Sequence, residues 1–273
     1  MKIHKVLTIA GSDSGGGAGI QADIKAISAT GSYAASAVTA VTVQNTLGVH
    51  GVFPVPVDVI TGQIDAVLSD IGADAVKIGM LHSSEVVVAV AEALQRSSVR
   101  NVVLDPVMVS TSGHRLIEES AVHTLKESLV PLARVITPNI PEAEILVGHP
   151  IIRQDDLPEV ARELSLGGRV SVFLKAGHLT DDVLTDIFYN AETDETLALS
   201  SERLHTRNTH GTGCTLSSAF ASFLAQGCTL NEAAYKAKDY IFEAIRRGAN
   251  LEFGSGHGPV CHFSNMVCGL EGQ

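Results

Sequence analysis

The sequence predicts an α/β fold: a mostly parallel central sheet with helices on both faces and an antiparallel edge. Three observations carry this. Short, mostly apolar runs, such as Val6–Ala10, Ala75–Ile78 and Val102–Leu104, read as strands buried on both faces. Segments with apolar residues at helical spacing separate them one by one, which is the alternation that βαβ units produce. Late in the chain, Val183–Phe188 and Thr196–Leu199 flank the polar stretch Asn190–Glu195, and this hairpin supplies the antiparallel edge.

Taken in order, Lys5-Val6-Leu7-Thr8-Ile9-Ala10 is the first strand, and it runs into a loop from Gly11 to Gly19 whose glycines let backbone approach a ligand. Ile20, Ile24 and Ile27 then recur at helical spacing, and Gly31 stops that helix. Tyr33–Val43 reads as a strand rich in small residues and Val57–Leu68 as a helix. Ala75–Gly79 is a buried strand, Ser84–Gln95 a helix and Asn101–Leu104 another strand. The alternation continues through Ser120–Leu129, Val135–Thr137, Pro141–Val147, Pro158–Leu166 and Val170–Lys175. After the hairpin come a helix opening at Gly211 and a second from Asn231 to Arg247. No composition break, linker or internal repeat interrupts the pattern, so a single domain over residues 1–273 is expected.

Hydrophobic residues make up 45% and charged ones 18% of the 273, enough apolar material for a large core. Thirty acids against 19 bases give a net charge of −11. That balance argues against nucleic acid or an anionic membrane as partner, so any phosphate must be met by local donors. Cys214, Cys228, Cys261 and Cys268 show no CxxC or metal-ligand spacing, and they read as free thiols in a reducing compartment. The apolar run Val6–Ala10 is too short for a signal peptide, and no stretch reaches the length of a membrane span. A cytoplasmic protein is expected.

The most pointed stretch is His210-Gly211-Thr212-Gly213-Cys214-Thr215-Leu216 with the small, apolar run that follows. Two glycines and Thr212 form the turn into a helix, and a helix start offers free N–H groups and partial positive charge. It reads as an anion hole holding a nucleophile-type side chain; an inert, packed cysteine at a helix start is the alternative. In a parallel sheet, ligands bind beyond the carboxyl ends of the strands. Asp13, Gln44, Gly79 with Met80, Asp105, Asn139 with Glu142, and Lys175 with His178 all follow strands and should converge on one rim. The segment Val109–His114, small and polar, should close over that rim. Gly11–Gly19 fails the register of a dinucleotide fingerprint, Ser14 lacks a base partner, and no P-loop is present.

Read as a whole, Ile9-Ala10-Gly11-Ser12-Asp13-Ser14-Gly15-Gly16-Gly17-Ala18-Gly19-Ile20-Gln21-Ala22-Asp23 resembles the opening signature of the hydroxymethylpyrimidine/phosphomethylpyrimidine kinases of thiamine biosynthesis, in the ribokinase-like superfamily. The similarity continues through Thr39–Thr46, Lys77–Leu81, Leu104–Met108, Ser112–His114, Thr137–Ala143, Lys175–His178, the Gly211 turn and Gly256–Pro259, in family order. Ala176 stands where many members carry glycine.

The resemblance implies a three-layer ribokinase-like domain that uses ATP and Mg²⁺. Its reaction would phosphorylate 4-amino-5-hydroxymethyl-2-methylpyrimidine to the monophosphate and then to the diphosphate. It implies that N–H groups of Gly211, Thr212, Gly213 and Cys214 hold the transferring phosphate, with Cys214 as the base. A helix N-terminus lowers a thiol, so a thiolate near neutrality is expected there. Lys175 would meet phosphate charge, with Lys238 a second candidate. Asn139 and Glu142 resemble the N-x-x-E element that organises Mg²⁺ and its waters on ATP, assisted by Asp105. Gly11, Asp23, Gln44 and Met80 would surround the aminopyrimidine, where the Gln44 amide both donates and accepts. A homodimer is the implied assembly. Pyridoxal or pyridoxine kinase of the same superfamily is the alternative activity, and a non-catalytic vitamin-binding protein is a third reading. Cys214, Gln44 and the pair Asn139/Glu142 favour the pyrimidine kinase.

Overall fold

The computed structural model describes residues 3–108 and 116–264. Its centre is a nine-stranded sheet in the order β3-β2-β1-β4-β5-β6-β7-β8-β9. The parallel strands are β1 (Lys5–Asp13), β2 (Tyr33–Asn45), β4 (Ala75–Ile78), β5 (Val102–Leu104), β6 (Val135–Ile136) and β7 (Ser171–Leu174). The hairpin β8 (Val183–Asn190) and β9 (Glu195–Glu202) closes one side antiparallel, as the sequence predicts. The opposite edge is antiparallel too. There β3 (Gly48–Pro54) folds back on β2, a strand the sequence reading lacks.

Strand alternation sorts side chains onto two faces. Val6, Val103, Val135, Phe173 and Phe188 point toward α1 (Gly19–Ala29), α7 (Thr212–Ala225) and α8 (Leu230–Gly248). Phe173, Phe188 and Phe220 form a ring trio there, with centroids 5.7–6.1 Å apart. Leu7, Val76, Leu104, Val172 and Leu174 point the other way. On that face lie α2 (Val57–Ala66), α3 (Ser84–Arg96), α4 (Glu119–Thr124), α5 (Ile140–Val147) and α6 (Leu157–Leu164). The helices that open at Val57 and Glu119 each continue as a wider turn, through Ile71 and Leu129.

From β1 the chain goes to β2 on one side and later to β4 on the other, so the sheet switches direction beside β1. A crevice opens beyond the carboxyl ends of strands at such a point. Among the described residues no helix is long and apolar enough to cross a membrane.

Candidate active site

The crevice is a cavity of about 630 Å³, bordered by the ends of β1, β2, β4, β5 and β7 and by the start of α7. Every candidate residue from the sequence borders it except Asp23 and Gly79. Segment Val109–His114, expected to close over the rim, lies outside the described residues.

At the start of α7, Gly211 takes φ +79° and caps the helix. As first residues of a helix, Gly213 and Cys214 lack intrahelical acceptors for their N–H groups. The N–H of Thr212 turns back to the Thr209 carbonyl at 3.3 Å, so the cradle is narrower than the sequence implies. Lys175 sits against this turn: a Cβ on Gly213 would stand 3.0 Å from its Nζ. That ammonium donates to Asp105 Oδ1 at 3.0 Å, which also accepts from the Thr137 hydroxyl at 2.9 Å. Burial opposes the Asp105 charge, but Lys175 and then Lys77 hold its carboxyl below the usual carboxylate range. Lys238, by contrast, is tied to Asp186 Oδ2 at 2.8 Å, while Asp186 Oδ1 accepts the Ala176 N–H at 2.7 Å.

Asn139 and Glu142 form a capping box. Asn139 Oδ1 accepts the Glu142 N–H at 2.9 Å, and Glu142 Oε2 accepts the Asn139 N–H at 2.8 Å. Local capping chemistry therefore explains the spacing of N-x-x-E and aims both side chains at the cavity rim. Burial pushes the Glu142 carboxyl up to about 7, with Lys175 opposing and Asp105 reinforcing the shift. Among the described residues no group of three or more His, Cys, Asp or Glu could hold a metal.

At the end of the cavity beside β1 and β2, Met80 covers Gly11, where a Cβ would stand 2.9 Å from the methionine methyl. Gln44 accepts from the Thr42 hydroxyl at 3.2 Å, and its Nε2 lies 3.3 Å from His210 Nε2. The same ring nitrogen lies 2.9 Å from Asp13 Oδ2. Asp13 in turn accepts the N–H groups of Gly15, Gly17 and Ala18, so one carboxylate shapes the glycine loop and fastens it to His210.

Two expectations need correction. The family resemblance puts Asp23 around the acceptor, but it is fully buried below the cavity. Its carboxylate holds Lys77 Nζ at 2.8 and 2.9 Å and accepts from Thr8 and Ser218. Helical register decides this: Asp23 shares its face with Ala22, Ala26 and Ile27, which point into the sheet. The second correction concerns the thiolate near neutrality expected at Cys214. This residue is half-buried and borders the cavity, and burial pushes the thiol up to about 12 against the pull of Lys77. Desolvation outweighs the helix start. Lys77 and His210 are the residues that the sequence reading passes over. A lone lysine inside the apolar run Ala75–Ile78 is the available signal, because an unpaired charge cannot stay there.

The model of the phosphomethylpyrimidine kinase family matches residues 13–261. The chain is 48% identical over 258 residues to the hydroxymethylpyrimidine/phosphomethylpyrimidine kinase of Rhizobium meliloti, covering 94% of this chain and 96% of that one. It is 51% identical over 257 residues to the thiamine biosynthesis bifunctional protein ThiED of Geobacter sulfurreducens. That match covers 94% of this chain, which spans about half of the longer relative (52%). The pyridoxal kinase of Staphylococcus aureus, solved in complex with AMP-PCP and pyridoxal, superposes with a TM-score of 0.89 at 32% identity, covering 98% and 96% of the two chains.

Proposed function

The chain belongs to the phosphomethylpyrimidine kinase family, and from that premise we propose that it phosphorylates an aminopyrimidine alcohol twice at one site. The γ-phosphate of ATP goes first to the hydroxymethyl oxygen of 4-amino-5-hydroxymethyl-2-methylpyrimidine, then to the phosphate so formed. One observation carries the reading: the α7 turn with Lys175 and the pair Gln44/Met80 open onto the same cavity. A phosphate cradle and an acceptor pocket are thereby in reach of each other.

In the first step the hydroxymethyl oxygen forms a bond to the γ-phosphorus, and the bond from that phosphorus to the bridging oxygen breaks toward ADP. The hydroxyl proton passes to the Cys214 sulfur. Phosphoryl transfer draws mainly on positioning and charge neutralisation, and the proton leaves late. The thiolate of a thiol near 12 is a minor form at neutrality but a strong base. Lys175 and the N–H groups of Gly213 and Cys214 receive the transferring phosphate, while Asp105 fixes Lys175. Mg²⁺ on the nucleotide would be held through water by Glu142, oriented by Asn139, and it supplies charge neutralisation on the phosphate oxygens. Lys238, held by Asp186, lies at the nucleotide side as a reserve cation. Gln44 meets the amino group and ring nitrogen of the pyrimidine, and Met80 and Gly11 meet its face.

The fold match to a pyridoxal kinase supports a second reading, in which pyridoxal is an acceptor as well. A coupled ADP-release assay with hydroxymethylpyrimidine, its monophosphate and pyridoxal in parallel tests both. Turnover with the two pyrimidines supports the proposal, and turnover with pyridoxal alone overturns it. The exposed apolar residues Val41, Val43, Leu47 and Phe53 on the β2–β3 hairpin support a homodimer, to be tested by analytical ultracentrifugation. Free Cys214, Cys228 and Cys261 suit a cytoplasmic setting.

A further inference from the structure

Among the described residues Lys77 heads the fully buried side chains by volume, and it reaches the lining of the same cavity as Cys214. Two contacts to Asp23, at 2.8 and 2.9 Å, hold its ammonium. Asp23 is itself saturated, since the Thr8 hydroxyl donates at 2.6 Å and the Ser218 hydroxyl at 2.7 Å. Ser218 lies one helical turn after Cys214, on the same face of α7. The ion pair is therefore tied to α7 one turn beyond the residue that the proposed mechanism uses.

The backbone makes room for this cation. A Cβ on Gly79 would stand 2.8 Å from Lys77 Nζ and 3.0 Å from the Ala10 methyl. An ammonium offers three N–H groups, and the Asp23 carboxylate engages it from one side only. Stability does not call for such a pair, because well-packed apolar residues usually serve a core as well or better.

We propose that Lys77 is a positioning residue for Cys214: a cation anchored by Asp23 under the start of α7, which draws negative charge onto the sulfur. The proposal rests on the reading of Cys214 as proton acceptor. The charged groups facing that sulfur are Lys77 from β4, Asp23 from α1 and Asp105 after β5, with Lys175 after β7. The two acids work against a thiolate, and Lys175 is spent on Asp105 and Glu142. Lys77 is the cation that opposes burial most directly.

The test is the pH profile of Cys214 alkylation by iodoacetamide, followed by mass spectrometry of the Cys214 peptide after labelling the folded, full-length protein. The thiolate is the reacting form, so rate reports charge on the sulfur. Asp23→Asn is compared with Asp23→Asn/Lys77→Met, both checked for a cooperative melt. Asp23→Asn should alkylate at least as fast as wild type, because an opposing charge is gone. Adding Lys77→Met should slow alkylation about tenfold or more at every pH, with the profile displaced upward. A merely structural role would move both variants in the same direction. Should the double variant fail to fold, Lys77→Gln keeps a donor to Asp23 and serves the same comparison with wild type. Equal rates with and without the lysine charge overturn the proposal. Alkylation needs no substrate, so this outcome is independent of whether the pyrimidine is phosphorylated. A slowed alkylation with unchanged kcat on the alcohol keeps the hold of Lys77 on the thiol and overturns Cys214 as base.

Discussion

The carbonyl oxygen of Gly17 occupies the place where a side chain on Gly211 would begin: a Cβ there would stand 1.8 Å away. The glycine loop after β1 and the turn into α7 are thus packed backbone on backbone, fastened by the Asp13–His210 contact. The two loops therefore form one unit, and on the proposed reading acceptor and phosphate sites share a fixed distance.

Gly211 and Gly213 should answer the same substitution in opposite ways. Gly211→Ala meets a left-handed φ of +79° and the Gly17 carbonyl, so it should lower the melting temperature and abolish turnover. Gly213→Ala sits in the first turn of α7 at a φ that any residue can adopt, so the helix itself should tolerate alanine. Its methyl would stand 3.0 Å from the Lys175 ammonium and displaces it. We expect an unchanged or raised melting temperature and a kcat reduced on the order of a hundredfold, the usual penalty for a misplaced phosphate-binding group. Calorimetric melts and steady-state kinetics on both variants check the contrast.

Cys214→Ala should cost alcohol phosphorylation on the order of 10²–10⁴-fold in kcat, the range for loss of a general base. Phosphorylation of the monophosphate should fall much less, because its anionic acceptor oxygen needs no base. With the thiol near 12, the wild-type alcohol rate should keep rising with pH between 7 and 9. The monophosphate rate should stay nearly flat. Assays with each purified acceptor decide, and equal losses in both steps would mean that the thiol only shapes the turn.

Glu142→Gln should trade activity for stability. The carboxyl titrates at 4.5 in the unfolded chain and at about 7 in the fold, so the native state binds more protons in between. Its contribution to stability is intact below pH 4.5 and is lost as pH rises through 7. The glutamine variant should match wild type at pH 4.5 and exceed it at pH 8 by about 1–3 kcal/mol in urea melts. The same change should raise the Mg²⁺ concentration needed for turnover while leaving pyrimidine binding, read by calorimetry, nearly intact.

His262 has the opposite sign. Burial lowers its imidazole from 6.5 to about 4, and its Nε2 lies 3.1 Å from the Thr215 hydroxyl inside α7. Between those values the unfolded chain binds the extra proton, so stability drains away as pH falls from 6.5 to 4. The loss amounts to about 3 kcal/mol at the acid end. His262→Gln can still donate to Thr215, and its urea midpoint should change less between pH 6.5 and 4.5 than that of wild type.

The parallel sheet is legible in the sequence because its signals are local: Val102–Leu104 and Val170–Leu174 are apolar regardless of what surrounds them. The strand β3 is not, because Gly51 and Pro54 read as loop, and only pairing with β2 makes that segment a strand. The rim residues Gln44, Met80, Glu142 and Lys175 are legible because topology alone puts strand ends together. Depth is not. Whether Asp23 faces a ligand or a lysine depends on one helical register against a sheet, and whether Cys214 is a thiolate depends on how much protein encloses it. Asp186 holding Lys238 is equally invisible, since 52 residues separate partners that only the hairpin brings together.

Residues 257–262 tie together the β2–β3 turn, the entry to α7, α7 itself and α8. The His257 N–H bonds to the Thr46 carbonyl at the tip of the β2–β3 hairpin, and the Gly258 carbonyl accepts from the His210 N–H. The Cys261 N–H bonds to Ala244 in α8, and His262 reaches Thr215 in α7. A ribosome makes these residues after the whole sheet. A nascent chain can therefore bury both faces of its core while the turn into α7 is still unbraced, so that on the proposed reading binding competence follows the sheet as a separate, later event. A ribosome stalled with residues up to Arg247 outside the exit tunnel would display a protease-resistant sheet that does not yet retain nucleotide.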